Sequence, residues 1–146
     1  MEQYLTFQLA GQSYGAPILK VQEIRGWQKP TRLPHSPAYV QGVINLRGAV
    51  VPILDLLRRF GMGEVDYGTN PVVIVVKVDS ARGEVTAGIV VDAVSEVCDI
   101  SDHDLRPVPP VGSGIDAELV HGLALAGDDT LVLLDVAQLV RRALAD

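Results

Sequence analysis

Aromatic side chains are scarce in this chain of 146 residues: one Trp, four Tyr and two Phe make up 5% of it. Any core it builds is therefore aliphatic. There is a single cysteine, Cys98, which rules out an internal disulfide and leaves no thiol set for a structural zinc. No apolar run approaches the roughly 20 residues of a membrane-spanning helix. The start, Met1-Glu2-Gln3-Tyr4, lacks the basic and apolar regions of a secretory signal. The chain reads as cytoplasmic, with no direct membrane insertion. Cations are in deficit, with 12 Lys and Arg against 18 Asp and Glu and a net charge of −6. Nucleic acid and anionic membrane surfaces both demand a cationic footprint, so neither is an expected partner. A basic patch on another protein suits this chain better.

Chemistry-bearing patterns are missing as well. His35, His103 and His121 are scattered and have no metal-ligand spacing. The acidic run from Asp99 to Asp104 lacks the central glycine and terminal glutamate of a calcium loop. Ser101 heading a short helix with acids in its first turn accounts for it better. No serine sits in a G-x-S-x-G elbow, and Gly42 and Gly48 are not followed by the Lys and Ser or Thr of a phosphate loop. Cys98 reads as a small buried hydrophobe. No catalytic residue, cofactor or metal is expected.

Three features are plentiful: β-branched residues, turn residues and internal repetition. Valine, isoleucine and threonine number 22, 8 and 5, and there are 14 Gly and 9 Pro, which predicts a β-rich chain with many turns. Leu5–Leu9 alternates as a half-buried strand does, and Ile18–Ile24 is a second candidate. Gly42–Leu46 and Ala49–Leu54 read as a hairpin with Arg47-Gly48 at its tip. Asp55 then caps a short helix that ends at Gly61. Val72–Val78 is a strongly apolar strand, and Thr86–Val97 another, bent near Asp92. Residues 62–71 and 106–114 read as loops. Gly122–Leu125 and Thr130–Leu134 form strands around Gly127-Asp128-Asp129, and Asp135 caps a helix over Val136–Leu144.

The segment from Gly42 to Asp55 and that from Gly122 to Asp135 have equal length and the same order: glycine, strand, turn, strand, aspartate, helix. Upstream, Gly15, Val21, Glu23 and Ile24 match Gly88, Val94, Glu96 and Val97 at an offset of 73. The simplest reading is an internal duplication, with one subdomain over about 1–70 and the other over about 71–146. Each is too small to bury much core alone, so the two are expected to pack on each other.

For a surface, period two puts Val21 and Glu23 on one face of their strand. Arg47, at its hairpin tip, could pair through its planar fork with Glu23 or with a partner carboxylate. Mixed apolar and charged strand faces suit protein–protein contact.

Two blocks taken together, Val21-Gln22-Glu23-Ile24-Arg25-Gly26 and Asn45-Leu46-Arg47-Gly48, resemble the bacterial chemotaxis coupling proteins of the CheW family. Leu33-Pro34, Val51-Pro52-Ile53, Gly88-Ile89-Val90-Val91-Asp92 and Leu105-Arg106-Pro107 extend the resemblance over about residues 4–142. It implies a mainly β fold of two pseudo-symmetric five-stranded SH3-like barrels sharing a hydrophobic core, within one CheW-like domain over 1–146. It implies no catalysis, but an adaptor that couples chemoreceptors to the histidine kinase CheA. The partners would be the kinase's regulatory domain and the cytoplasmic tip of a receptor, with the chain monomeric when free and recruited to membrane receptor arrays. Val21, Glu23 and Arg47 match positions where the family's binding is sensitive. Gly42, Asn45 and Gly48 match positions that shape the backbone of the turn. Adaptors of pilus-motility and other chemosensory arrays share the fold, as does the regulatory module of the kinase itself. The start methionine shortly before the first strand favours a free-standing protein over that module. A small β-barrel ligand binder is the remaining alternative, and the dispersed polar residues speak against it.

Overall fold

A computed structural model describes residues 2–61, 67–109, 117–126 and 128–145. In chain order it holds β1 (Glu2–Leu9), β2 (Gln12–Pro17), a 3₁₀ turn (Ile18–Lys20), β3 (Val21–Gly26), β4 (Val40–Leu46), β5 (Ala49–Leu54) and α1 (Leu56–Arg59). There follow β6 (Val72–Ser80), β7 (Gly83–Val91), β8 (Ala93–Ile100), a 3₁₀ turn (Asp102–Asp104), β9 (Leu105–Arg106), a 3₁₀ turn (Ala117–Leu119), β10 (Val120–Ala126), β11 (Asp129–Leu134) and α2 (Val136–Ala145). Parts of the two expected loops, residues 62–66 and 110–114, lie outside the described residues, as does Gly127.

The strands form two sheets, ordered β8-β1-β2-β11-β10-β9 and β3-β6-β7-β5-β4. The fold class is mainly β, as expected, but the first sheet has six strands because the two-residue β9 joins it. The repeat is plain in the pairing. In the β4–β5 hairpin Val40 opposes Leu54, the register slips, and Gly42 opposes Ile53. In β10–β11 Val120 opposes Leu134, the register slips, and Gly122 opposes Leu133. Each hairpin is followed by an aspartate whose backbone N–H reaches back to a carbonyl, Asp55 to Tyr39 and Asp135 to Leu119.

The sheets do not divide the chain near residue 70. Hairpin β1–β2 joins the sheet of the second repeat through a parallel pairing of Leu133 with Gly15. Hairpin β6–β7 joins the sheet of the first through Ile53 and Gly88. The two repeats have exchanged their leading hairpins. Both parallel pairings meet at a glycine, where an added Cβ would push on the facing side chain: one on Gly15 would lie 2.9 Å from Leu133 Cδ2, and one on Gly88 2.7 Å from Ile53 Cδ1.

The chain crosses between sheets twice, at the turn 18–20 and at Asp92. These are the two places where an expected continuous strand is broken. Pro17 supplies no N–H and starts the first crossing. At the second, the Asp92 carboxylate accepts from the Ala10 N–H at 2.9 Å and the Gly68 N–H at 3.1 Å, which holds the bend.

Three apolar clusters result. Ile44, Leu46, Val51, Ile53, Val73, Val75 and Val90 fill the five-stranded sheet, and Tyr4, Ile100, Ala124, Leu131 and Leu133 the six-stranded one. The largest lies between them and draws on both sheets and α2, with Phe7, Leu9, Ile74, Val76, Ile89, Leu139 and Val140 among its members. Strand β6 serves two clusters because its alternate residues face opposite ways, which explains its unbroken run of apolar residues. Asp55 is buried at the rim. It accepts from the Arg58 N–H at 3.2 Å, as an N-cap does, and from the Tyr67 hydroxyl at 2.6 Å. Burial first, and the Asp55 carboxylate second, push the Tyr67 phenol well above its ordinary range.

Candidate functional site

The five-stranded sheet ends in β3 on one side and β4 on the other. Glu23 belongs to β3, and Arg47 sits at the tip of the hairpin that β4 opens. Leu46 opposes Ala49, so Arg47 and Gly48 form a two-residue loop. Both have positive φ, 50° and 87°, the twist that continues the right-handed twist of the flanking strands. A left-handed conformation is uncommon for arginine and is of order 1–3 kcal/mol above the usual regions. Two contacts hold it there. The Gly48 N–H donates to Asn45 Oδ1 at 2.8 Å, and the Arg47 guanidinium donates to Glu23 Oε2 at 2.6 Å.

That second contact bridges the two ends of the sheet and clasps its open side. Arg25 adds a looser ion pair, with Nη1 3.6 Å from Glu23 Oε1. Oε1 itself is shielded from solvent and has no hydrogen-bond donor among the described residues. The Arg47 hydrogen bond, opposed by partial desolvation and aided by the charges of Arg47 and Arg25, holds the Glu23 carboxyl below its ordinary range. Exposed ion pairs contribute little to stability, and Arg47 is largely exposed. What the pair does is fix a charged fork at a set place on the surface.

Of the residues singled out in the sequence, Glu23 and Arg47 are brought together. Asn45 and Gly48 shape the turn beneath them. Gly42 does not lie in a turn. It sits inside β4 at the register slip, with φ 142°, where a Cβ would be 2.3 Å from the Thr31 carbonyl oxygen. This close approach lets the segment around Thr31 pair with Val43 at the edge of β4.

Val21 does not share a face with Glu23. Val21 opposes Val76 and Glu23 opposes Val75. Directly opposed residues share a face while neighbours in a strand alternate. A β-bulge at Gln22 therefore turns the strand over. Val21 packs against the central cluster, and Glu23 comes out on the side of Arg47. A period-two reading cannot foresee an inserted residue.

Sequence reasoning also passed over exposed apolar residues of the first repeat. Ile24, Trp27 and Val50 are all exposed. Ile24 is exposed on β3 at the end of the sheet, Trp27 follows that strand, and Val50 alternates with the buried Val51 in β5. Cys98 is half-buried rather than buried. Burial, helped by the neighbouring Glu96, raises its thiol pKa, which disfavours the reactive thiolate. Asp104 accepts from both the N–H and the hydroxyl of Ser101, so the acidic run is a capped turn as expected. Among the described residues no helix is long and apolar enough to cross a membrane, and no group of three His, Cys, Asp or Glu side chains could hold a metal ion.

A family model described as the CheW-like domain matches residues 3–144. This chain belongs to the CheW-like family. The CheW-like chain is 40% identical over 139 residues to the chemotaxis protein CheW of Klebsiella aerogenes, covering 95% of this chain and 81% of that protein. It is 31% identical to Protein FrzA of Myxococcus xanthus, covering 97% and 87%. It matches the crystal structure of scaffolding protein TtCheW from Thermoanaerobacter tengcongensis with a TM-score of 0.83 at 33% identity, covering 94% of this chain and 86% of that one. Membership makes the CheW-like chain a scaffold or adaptor of the chemotaxis type and not an enzyme.

Proposed function

We propose that this chain couples the cytoplasmic tips of chemoreceptors to the regulatory domain of the histidine kinase CheA, from the cytoplasm, as part of a receptor array. The observation that carries the reading is the Glu23–Arg47 fork, held by a left-handed turn across the end of a sheet, in a repeat that also exposes Ile24, Trp27 and Val50. Exposed apolar side chains with charged groups at their margin are the composition of a protein-docking surface. Val21 would act through its bulge, which sets the angle at which Glu23 leaves the strand.

The mechanism is bivalency. With a receptor on one surface and the kinase on another, each partner sees the other at high effective concentration, without a new contact between them. A receptor's conformational change reaches the kinase only through contacts that differ between the two receptor states. An adaptor cored across both sheets passes on such a difference better than one with a loose joint.

Co-sedimentation with a receptor signalling fragment and CheA, each omitted in turn, tests the proposal. Arg47→Glu puts a third like charge beside Glu23 and a partner carboxylate, so it should cut the sedimented ternary complex severalfold while the thermal melt stays cooperative. Undiminished recovery of both partners by Arg47→Glu would remove the fork from the interface. The family resemblance also admits a second reading, in which the same adaptor serves another chemosensory array. Exchanging the receptor fragment in the same assay separates the two.

A further inference from the structure

The duplication gives each repeat a crossing between the sheets, and the two crossings are built differently. Gly15 and Val21 match Gly88 and Val94 at an offset of 73, so the counterpart of Asp92 is Leu19. Leu19 lies in the 3₁₀ turn Ile18–Lys20, is 94% exposed and offers no side-chain acceptor. That turn has no side-chain cap. A crossing of this fold therefore does not require a carboxylate, and the one at Asp92 does more than turn the chain.

Asp92 joins three parts of the molecule. Its backbone N–H donates to the Gln8 carbonyl at 3.0 Å. Its Oδ2 accepts from Ala10, at the tip of hairpin β1–β2 in the six-stranded sheet, and its Oδ1 from Gly68. Ala10 has φ 51°, so its N–H is offered to Asp92 by a left-handed turn that alanine rarely adopts. Gly68 belongs to the segment 67–71 that leads into β6. Both ends of that segment are tied to the five-stranded sheet. The Tyr67 hydroxyl donates at 2.6 Å to Asp55, the α1 cap just after β5. The Pro71 carbonyl accepts at 3.1 Å from the N–H of Trp27, one residue past β3. Tyr67 also packs against both the cluster of the five-stranded sheet and the central one. Strand β3 is the one that carries Glu23. A continuous run of contacts thus leads from the Glu23–Arg47 fork along β3 to Trp27, Pro71, Gly68, Asp92 and Ala10, and so from one sheet to the other.

We infer that segment 67–71, pinned by Asp92, is a coupling strap: making or breaking the fork in the five-stranded sheet changes how firmly the β1–β2 tip of the six-stranded sheet is held. Asp92 is a positioning residue in this device, since its carboxylate bonds to neither member of the fork. Packed and hydrogen-bonded networks of this kind carry coupling between separated sites, and the coupling is reciprocal. The inference concerns this chain alone and does not depend on which protein occupies the fork.

Amide–water exchange measured by NMR on the full chain tests it in both directions. Arg47 bonds to Glu23, whereas the N–H groups of Ala10 and Gly68 both go to Asp92. Arg47→Ala should nonetheless speed exchange at both amides severalfold. The Arg82 amide, bonded to Ser80 at the exposed β6–β7 tip, should keep its rate. In the reverse direction, Asp92→Asn keeps the shape of the side chain and removes its charge, and it should speed exchange at Trp27 severalfold. Unchanged rates at Ala10 and Gly68 in Arg47→Ala overturn the inference. So does a response at only one of them, because the strap would then not connect the two sheets. An Arg82 amide that speeds up along with them would mean general loosening, which also overturns it. If Asp92→Asn lacks a cooperative melt, Tyr67→Phe, which removes only a hydroxyl from the strap, takes its place with the same readout. A Trp27 rate that the folded variant leaves unmoved would sink the reciprocal half, and the inference with it.

Discussion

Asn45, Arg47 and Gly48 show how few atoms place a charged group. One side-chain amide oxygen fixes the turn, one glycine completes its left-handed twist, and the arginine between them is delivered to Glu23. Gly42 works at the same scale. Gly42→Ala would drive a methyl group into the Thr31 carbonyl and break the two 2.8 Å hydrogen bonds between Thr31 and Val43. The expected loss is about 2–3 kcal/mol, from two hydrogen bonds and local strain, read as a lower denaturant midpoint. Glu23 gives a pH prediction. Its folded pKa is depressed, so the ionised carboxylate and its pairing persist from neutral pH to below the ordinary value of 4.5 and are lost as pH falls through the folded value. An NMR titration should find the Glu23 midpoint below 4.5 in the wild type and higher in Arg47→Ala; an unmoved midpoint would mean that the fork is absent in solution. Arg47 and Glu23 were legible in the sequence as candidates. Their pairing was legible as one of two options, and the choice between Glu23 and a partner carboxylate was not, since 24 residues of chain separate the two. The false pairing of Val21 with Glu23 came from one inserted residue, and alternation has no signal for that.

At the scale of the element, most of what is local could be read in advance. The two aspartate caps, the tip at Arg47-Gly48 and the repeat of hairpin and helix all follow from side chains within a few residues of one another. Strand β2 was not foreseen, because Gln12–Pro17 holds none of the β-branched residues that mark strands. It is a strand because β1 and β11 flank it. The caps differ in a way that only packing shows. Asp135 accepts from the Gln138 N–H at the head of α2, whereas Asp55, only 4% exposed, also receives the Tyr67 hydroxyl. Asp135→Ala should cost about 1 kcal/mol, the usual value of an N-cap. Asp55→Ala should cost about 2–4 kcal/mol, since it also strands a largely buried hydroxyl. Chemical denaturation of the two variants checks the order, and equal losses would show that the Tyr67 contact adds nothing.

At the scale of the whole molecule, the duplication was legible and its three-dimensional use was not. A repeat in sequence invites a cut at its midpoint, but each sheet is completed by the other repeat's leading hairpin. Nothing in 146 letters records whether Gly88 will meet Ile53 or Leu133, because both choices offer a similar aliphatic neighbour to a bare Cα. The exchange makes a prediction. Residues 1–61 and 67–146 made separately should each lack a cooperative melt, since each would hold hairpins cut from their sheets. Mixed, they should regain native far-ultraviolet dichroism. A first half that melts cooperatively alone would show that the hairpins can fold back onto their own repeat.

Neither crossing between the sheets offers slack: one is a single turn after Pro17 and the other is Asp92 alone, pinned by two amides. Twisting one sheet against the other would have to pull a hairpin out of its neighbour instead of bending a tether. A push delivered at the Arg47 corner therefore arrives at the far sheet as displacement, in the manner of a solid lever, and little of it is lost as play in a joint.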